Sequence, residues 1–398
     1  MSKANWRKVK FGDVVRLSKA RCADPLTEGV ERFVGLEHLE PGDLRIRSWG
    51  NVADGVTFTS VFKPGQVLFG KRRAYQRKVA VADFSGVCSG DIYVLESQDA
   101  SALLPELLPF ICQTDKFFAH AVGTSAGSLS PRTNWSNLID YTLALPHVEE
   151  QKRIVELIST FDEQIELLQT AHSAALCLKN AMAESVFPVA EVKGYLAAPQ
   201  EYCGRNLVPL GELASLQVGF PFKSAEYSTK GDRLLRDSNV GVNRLSWEAD
   251  ITCYWPTERR SQVSDYVLAA GDIVIAMDRP FISEGFKIAR VQNEDLPALL
   301  LQRVGRFKVS KQIKPEYLWP FLHAKSFRWQ LQRMQKGTDL PHISKFDIEG
   351  TLIPQLAVDE QIEISKCFSE IDASTVALKK RLNDAKDQRR QVLSTCFI

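Results

Sequence analysis

The densest chemistry in the chain is a run of cations, Lys71-Arg72-Arg73-Ala74-Tyr75-Gln76-Arg77-Lys78, with five basic side chains in eight and a tyrosine among them. It follows Lys63-Pro64-Gly65-Gln66 and Val67-Leu68-Phe69. A Gly-polar turn feeding β-branched and aromatic residues is a strand entry, so the cations are expected on a loop at a strand end. Cationic groups there neutralise phosphates, arginine forks onto a guanine edge, and tyrosine stacks or touches sugar. A solvated basic surface is the plainer reading of the same residues. The corresponding place later in the chain holds Asp278-Arg279-Pro280-Phe281, then Lys287 and Arg290, with Arg303 and Arg306 flanking a further strand. It is less basic but has the same arginine-and-aromatic mixture. The stretch 124–135, with Ser125, Ser128, Ser130, Arg132 and Asn134, is polar and flexible enough to reach a groove.

Enzyme signatures fail. Gly65-Gln66-Val67-Leu68-Phe69-Gly70-Lys71 matches a phosphate-loop pattern, but Arg72 stands where Ser or Thr must hold magnesium, and Val-Leu-Phe favours a strand. Glu191-Val192-Lys193 resembles the tail of a nuclease carboxylate–lysine set without an acidic partner in a strand context. Nucleophile-elbow, dinucleotide-loop and amino-methyltransferase motifs are missing; Asp24-Pro25-Leu26-Thr27 is not one of the last. The six histidines, His38, His120, His147, His172, His323 and His342, have no metal-ligand spacing, and the eight cysteines form no C-x-x-C pair, so no metal is expected. Isolated thiols, a polar N-terminus and no apolar run near 18 residues point to a cytoplasmic protein without a membrane span.

The elements that must position these residues come in two copies. Ile154, Ile158, Phe161, Ile165, Leu168, His172, Ala175, Lys179, Met182 and Val186 step by alternating fours and threes. Ile364, Phe368, Ile371, Thr375, Leu378, Leu382, Ala385, Arg389, Val392 and Cys396 do the same, each 210 residues later. That alternation is the seam of a helix that pairs with another helix. Each such helix spans about 57 Å at ~1.5 Å per residue. Lys179 and Arg389 put a basic residue at the same step of both seams, which costs stability but specifies register. An antiparallel pairing of the two helices is expected; packing of each helix on its own block is the bland alternative.

The rest repeats as well. Val9-Lys10-Phe11-Gly12-Asp13-Val14 is answered by Val208-Pro209-Leu210-Gly211-Glu212-Leu213. The turn and strand at 63–69 are answered at 269–275, and further strands are expected at 91–95 and 306–309. Pro105-Glu106-Leu107-Leu108 and Pro315-Glu316-Tyr317-Leu318 each open a short helix. Gly123-Thr124 before Leu129-Ser130 is matched with Gly337-Thr338 before Ile343-Ser344. The expected domains are 1–148, a helix over 149–187, 188–358, and a helix over 359–398. A net charge of +2 is uninformative as a total, but 149–187 holds 3 basic against 7 acidic groups, so the excess of cations lies elsewhere.

These features together resemble the specificity subunit of type I restriction–modification systems, over essentially the full length. The motifs are Leu145-Pro146 with Glu150-Gln151-Lys152-Arg153-Ile154, and Ile353-Pro354 with Glu360-Gln361, before long helices ending in Phe187 and Phe397. Leu68-Phe69-Gly70-Lys71-Arg72-Arg73-Ala74-Tyr75 through Cys88-Ser89-Gly90-Asp91 also looks like a common version of the family's recognition domain. In the second copy Gln361 is followed by Ile-Glu-Ile, where the family more often has a basic pair and isoleucine. The resemblance implies an α+β protein: two mixed α/β target recognition domains, separated by two long helices in an antiparallel coiled coil, as a pseudo-two-fold repeat. It implies double-stranded DNA as ligand, each domain reading one half of a split target in the major groove with the helices as ruler. It implies no catalysis and no cofactor on this chain. Two modification subunits would carry S-adenosylmethionine and methylate adenine, and motor–nuclease restriction subunits would join them. The residues expected at DNA are Lys71, Arg72, Arg73, Tyr75, Arg77, Lys78, Arg132, Arg279, Lys287, Arg290 and Arg303. Glu150, Gln151, Arg153, Glu360 and Gln361 are expected to face partner subunits. Ile158, Phe161, Ile165, Leu168, Phe368, Ile371, Leu378 and Leu382 are expected to join the helices. A coiled-coil protein-interaction scaffold, or a specificity subunit of another methylation-based defence system, is the alternative.

Overall fold

Val67–Gly70 is a strand with all four residues buried, which explains why the phosphate-loop pattern over it is accidental. The computed structural model describes residues 6–188, 201–202, 205–283, 285–334 and 342–396; Glu191-Val192-Lys193, Gly337-Thr338 and Phe397 lie outside them. The chain forms two compact units, one of residues 1–170 with 379–398, the other of 171–378. Neither follows the block-then-helix order of the sequence, because the last turns of the chain belong to the first unit.

In the first unit one antiparallel sheet runs Val15–Leu17, Ile92–Ser97, Val67–Gly70, Val79–Val81. A second sheet runs Gly50–Asn51, Arg32–Val34, Gly86–Cys88, Ser60–Phe62, and its Arg32–Val34/Gly86–Cys88 pair is parallel. Arg7–Lys10 pairs with Thr142–Leu145 beside them. The second unit repeats this plan. Ala214–Val218, Val304–Val309, Ile273–Ala276 and Ile288–Arg290 form the antiparallel sheet. Cys253–Trp255, Asp232–Leu235 and Ala298–Leu300 form the other, again with one parallel pair, Asp232–Leu235/Ala298–Leu300. Leu207–Pro209 pairs with Leu352–Pro354. Gly65 (φ 85°) and Gly271 (φ 90°) take the left-handed turn before equivalent strands, where an L side chain would be strained. Mixed sheets with peripheral helices match the expected α+β class.

One alignment from sequence is corrected by the backbone. Thr133 and Ile343 make equivalent bonds, to Lys71 O (3.0 Å) and Met277 O (2.9 Å). Ile343-Ser344 therefore answers Thr133-Asn134, not Leu129-Ser130, and Asn134 and Ser344 each precede a short helix. Loop residues carry no periodicity by which to detect a four-residue slip.

The long helices are Val148–Val186 and Val358–Cys396. Every one of the ten seam positions in each is buried or half-buried, while most of the residues between them are exposed. In the first unit Arg389 Nε donates to Asp162 Oδ1 at 2.5 Å. In the second, Lys179 Nζ donates to Asp372 Oδ1 at 2.5 Å. Numbers rise along one helix as they fall along the other, so the pairing is antiparallel. The two ion pairs are also images of each other: Asp162 and Asp372 differ by the repeat offset, as do Lys179 and Arg389. The basic seam residues are thus register locks across the pair. The helix ends also complete both cores. Ile154, Ile158, Leu393 and Cys396 join the first block's apolar cluster, and Val186, Phe187 and Phe368 the second's.

Asp162→Lys is expected to cost about 1–2 kcal/mol, because it sets two cations against each other where Arg389 is only 11% exposed. Asp162→Lys with Arg389→Glu restores most of the loss. Denaturant midpoints at low and high salt measure it; a double variant no better than the single one would remove the lock.

Candidate nucleic-acid interface

The cationic loop of the first unit is stitched at three places. Lys71 N–H donates to Asp91 O (2.9 Å), Lys71 O accepts from Thr133 N–H (3.0 Å), and Arg73 N–H donates to Pro131 O (2.7 Å). These bonds bring together segments 20 to 62 residues apart in sequence. Asp91, just before the Ile92–Ser97 strand, is the hub. Its Oδ2 accepts from Arg72 Nη1 (3.2 Å) and its Oδ1 from Arg132 Nε (2.8 Å). Burial alone would raise its pKa; the bonds and charges of Arg132 and Arg72 outweigh this and hold the carboxyl below its ordinary value. Arg72 and Arg73 both reach Ser130 Oγ, at 3.1 and 3.3 Å. Their Nε atoms are buried without a partner, a cost that a functional surface tolerates.

Strain collects at the same residues. Arg73 (φ 53°) and Arg77 (φ 59°) are both left-handed and bracket the 3₁₀ turn Ala74–Gln76. Arg279 (φ 43°) and Arg303 (φ 70°) are left-handed in the second unit. Only one other described non-glycine residue, Asn243, shares this conformation. Each arginine there costs about 1–2 kcal/mol, and such outliers cluster where a backbone must present a side chain.

The expected DNA contacts divide. Tyr75 is exposed, Arg72 and Arg132 gather on Asp91, and Arg73 reaches Ser130 beside them. Lys71 lies over the Tyr93 ring at 4.7 Å, and burial pushes its pKa down. Lys78 gives its ammonium to Leu36 O at 2.7 Å, so it is turned from the Asp91 group. Arg77 also points elsewhere, to Gln113 O (3.1 Å) and Asp115 (2.6 Å) over Phe118. It lines a cleft of about 730 Å³ within the first unit with Arg45, Arg47, Lys386 and Arg390.

Two candidates in the second unit are corrected. Lys287 is buried and paired with Asp237 at 2.6 Å. Arg290 donates to Pro315 O (3.1 Å) and covers Trp319, and burial lowers its pKa. Both sit on or beside the Ile288–Arg290 strand, whose side chains the core claims. Arg279 is exposed, and Arg303 is exposed but ion-paired with Asp278. Asp278 Oδ1 also accepts from His342 Nδ1 at 2.5 Å.

That second group occupies the place of the first. Met277 N–H donates to Arg303 O (2.9 Å) as Lys71 N–H does to Asp91 O. Arg72 and Arg132 form an isolated bridge, as do Asp278 and His342. Position by position, Arg72 becomes Asp278, Asp91 becomes Arg303, and Arg132 becomes His342. The carboxylate and a guanidinium have changed places on one scaffold. Asp91, Asp278 and His342 are named in the sequence without a role at DNA; the place just before the equivalent strands Ile92–Ser97 and Val304–Val309 points to Asp91 and Arg303 alone, and only the fold brings Asp278 and His342 to the latter.

Residues 4–176 and 207–385 each match the type I restriction modification DNA specificity domain. The chain belongs to this family of type I specificity subunits. It carries two such domains, and the unlike trios sit at like positions in them. Among similar proteins is the MjaVIII type I restriction enzyme specificity subunit of Methanocaldococcus jannaschii, 25% identical over 98% of this chain and 91% of that one. The EcoAI specificity subunit of Escherichia coli is 34% identical over 44% of this chain and 30% of that protein. The type I S subunit structure from M. genitalium shares the fold at TM-score 0.58 and 15% identity, covering 99% of this chain and 96% of that chain.

The family's expected partner face needs a further correction. Gln151 and Gln361 are buried, at 0% and 1% exposure. Gln151 accepts from Leu104 N–H (2.8 Å) and donates to Ala102 O and Pro146 O (both 2.9 Å). Gln361 accepts from Lys314 N–H (2.8 Å) and donates to Gln312 O (2.8 Å) and Leu356 O (2.9 Å). Each glutamine ties the first turn of a long helix to its own domain. Arg153 and Glu360 are exposed, and Glu150 is half-buried and accepts from Trp6 Nε1 at 3.2 Å.

Proposed function

We propose that this specificity subunit reads a split DNA target, one half per domain, and itself performs no chemistry. The observation that carries the reading is the pair of trios: one scaffold, used twice, presents Arg-Asp-Arg in one copy and Asp-Arg-His in the other. Two unlike base-reading surfaces at equivalent positions are what a bipartite, non-palindromic target requires. Arginine donors suit guanine O6 and N7, and the remaining cations suit phosphates, which position without specifying.

The long helices dock two copies of a modification subunit and, with them, restriction subunits. Support comes from the mirrored ion pairs Asp162–Arg389 and Asp372–Lys179, since a repeated surface suits two identical partners. Arg153 and Glu360 are the exposed candidates for that face. S-adenosylmethionine belongs to the modification subunits, which flip and methylate adenine while this chain holds the duplex in register. The complex is cytoplasmic; no helix among the described residues is long and apolar enough to cross a membrane.

Co-expression with the modification subunit, followed by methylome sequencing, tests the reading. The expected motif has two specified parts around an unspecified gap and vanishes without this chain. Methylation at one contiguous motif, or methylation indifferent to this chain, overturns it.

A further inference from the structure

The second trio borders an open cavity of about 480 Å³ lined by Val218, Met277, Gln302, Arg303 and His342. Its chemistry differs from the first in one respect beyond geometry. Arg132 is a permanent cation and donates only, whereas histidine changes both charge and hydrogen-bonding role between about pH 5 and 8. We propose that His342 is a specificity-determining residue whose protonation state sets which base the second domain accepts. The inference rests on the DNA-reading function proposed above and names the side chain that does part of that reading.

Asp278 fixes how the ring is presented. Burial would raise its pKa, but the bonds from Arg303 and His342 outweigh this and hold it below the ordinary carboxylate value. An ionised carboxylate only accepts, so the Nδ1 that faces it at 2.5 Å must carry the proton. The neutral ring is thereby held in one tautomer, with a bare lone pair on Nε2. A bare Nε2 accepts from an amino group, that of adenine or cytosine in the major groove. A second proton turns Nε2 into a donor, which suits guanine O6 or N7. The ring is half exposed, with 52% of its side chain open, so Nε2 is not spent on the core.

The charged groups that face the ring are Asp278 and, paired with the same carboxylate, Arg303. Behind them Lys287 donates to Asp237 at 2.6 Å and reaches Asp278 O at 3.5 Å, an internal pair that contributes little net charge. Arg279 is exposed and next to Asp278 in the chain. In the first domain the equivalent positions hold Arg72, Asp91 and Arg132 and no histidine, so that domain is an internal control.

The experiment is selection from a duplex library randomised over both half-sites, using the complex of this chain with its modification subunit, at about pH 5.5 and about pH 8. The expected result is a shift at one base pair of the second half-site, about tenfold toward guanine at the lower pH. The first half stays unchanged. His342→Arg is expected to select guanine at both values, and His342→Gln, which has donor and acceptor together, to abolish the pH dependence. The surface position of the ring leaves both variants folded. A pH shift that persists in His342→Gln, or a second-half preference that neither variant alters, overturns the inference while leaving the bipartite reader standing. Absence of enrichment at either half overturns the reader and the inference with it.

Discussion

Gln151→Leu is expected to destabilise the first unit by about 4 kcal/mol, and Gln361→Leu the second by a similar amount. Leucine fits the volume, so little of the loss comes from packing. The loss comes from groups stranded in the interior. Removing the Gln151 amide, itself fully buried, leaves Leu104 N–H and the carbonyls of Ala102 and Pro146 without that partner. Each buried group so stranded costs about 1–3 kcal/mol, less for a carbonyl with a second lone pair in use. Chemical denaturation with amide exchange around 102–105 and 312–315 locates the damage in the matching unit. Glu150→Ala, which disturbs one half-exposed contact with Trp6, serves as the contrast and is expected to cost under about 1 kcal/mol. A Gln151→Leu protein within about 1 kcal/mol of the parent would mean that these three bonds do little to hold the helix to its domain.

Arg72→Ala combined with Arg132→Ala is expected to weaken target binding at least about 100-fold. Two guanidinium contacts account for that, at about 1–3 kcal/mol each. Asp91 adds to the effect, because it remains as an unpaired anion facing the polyanion. Adding Asp91→Asn to the double variant should therefore regain about tenfold, although it restores no contact. The mechanism is electrostatic, and salt identifies it: each lost phosphate contact flattens the plot of log K against log salt by about 0.9. Anisotropy titrations of the modification complex on its duplex give both affinity and slope. Unchanged affinity and slope in the double variant would remove the Asp91 group from the interface, and a triple variant weaker than the double one would reverse the role given to the carboxylate.

Much of the architecture was legible because it is periodic. The ten-step seams predicted two long helices, and each begins and ends within two residues of its expected bounds among the described residues. The paired turn-strand entries at Gly65 and Gly271 predicted equivalent strands, because a left-handed turn needs glycine wherever it recurs. The Lys71–Lys78 run was legible as cationic. Its division was not: Arg72 turns to Asp91, Arg77 to Gln113 and Asp115, and Lys78 to a backbone carbonyl. Lys287 and Arg290 misled for a related reason. A cation on a buried strand looks the same in sequence as one at a strand tip, and only the core decides that Lys287 pairs with Asp237.

Residue order alone determined that this protein is built twice, that each copy ends in a pairing helix, and that a basic residue stands at the same step of both. Those are local properties, read within a few turns of chain and then compared. Tertiary structure decided what the basic residues meet. Asp162 and Arg389 are 227 positions apart, and Lys179 and Asp372 are 193 apart. It also decided that Asp91 and Asp278, at different steps of the repeat, each gather two basic side chains from loops that no sequence period connects. The strength of an ion pair depends on distance in space, and folding sets that distance independently of separation along the chain.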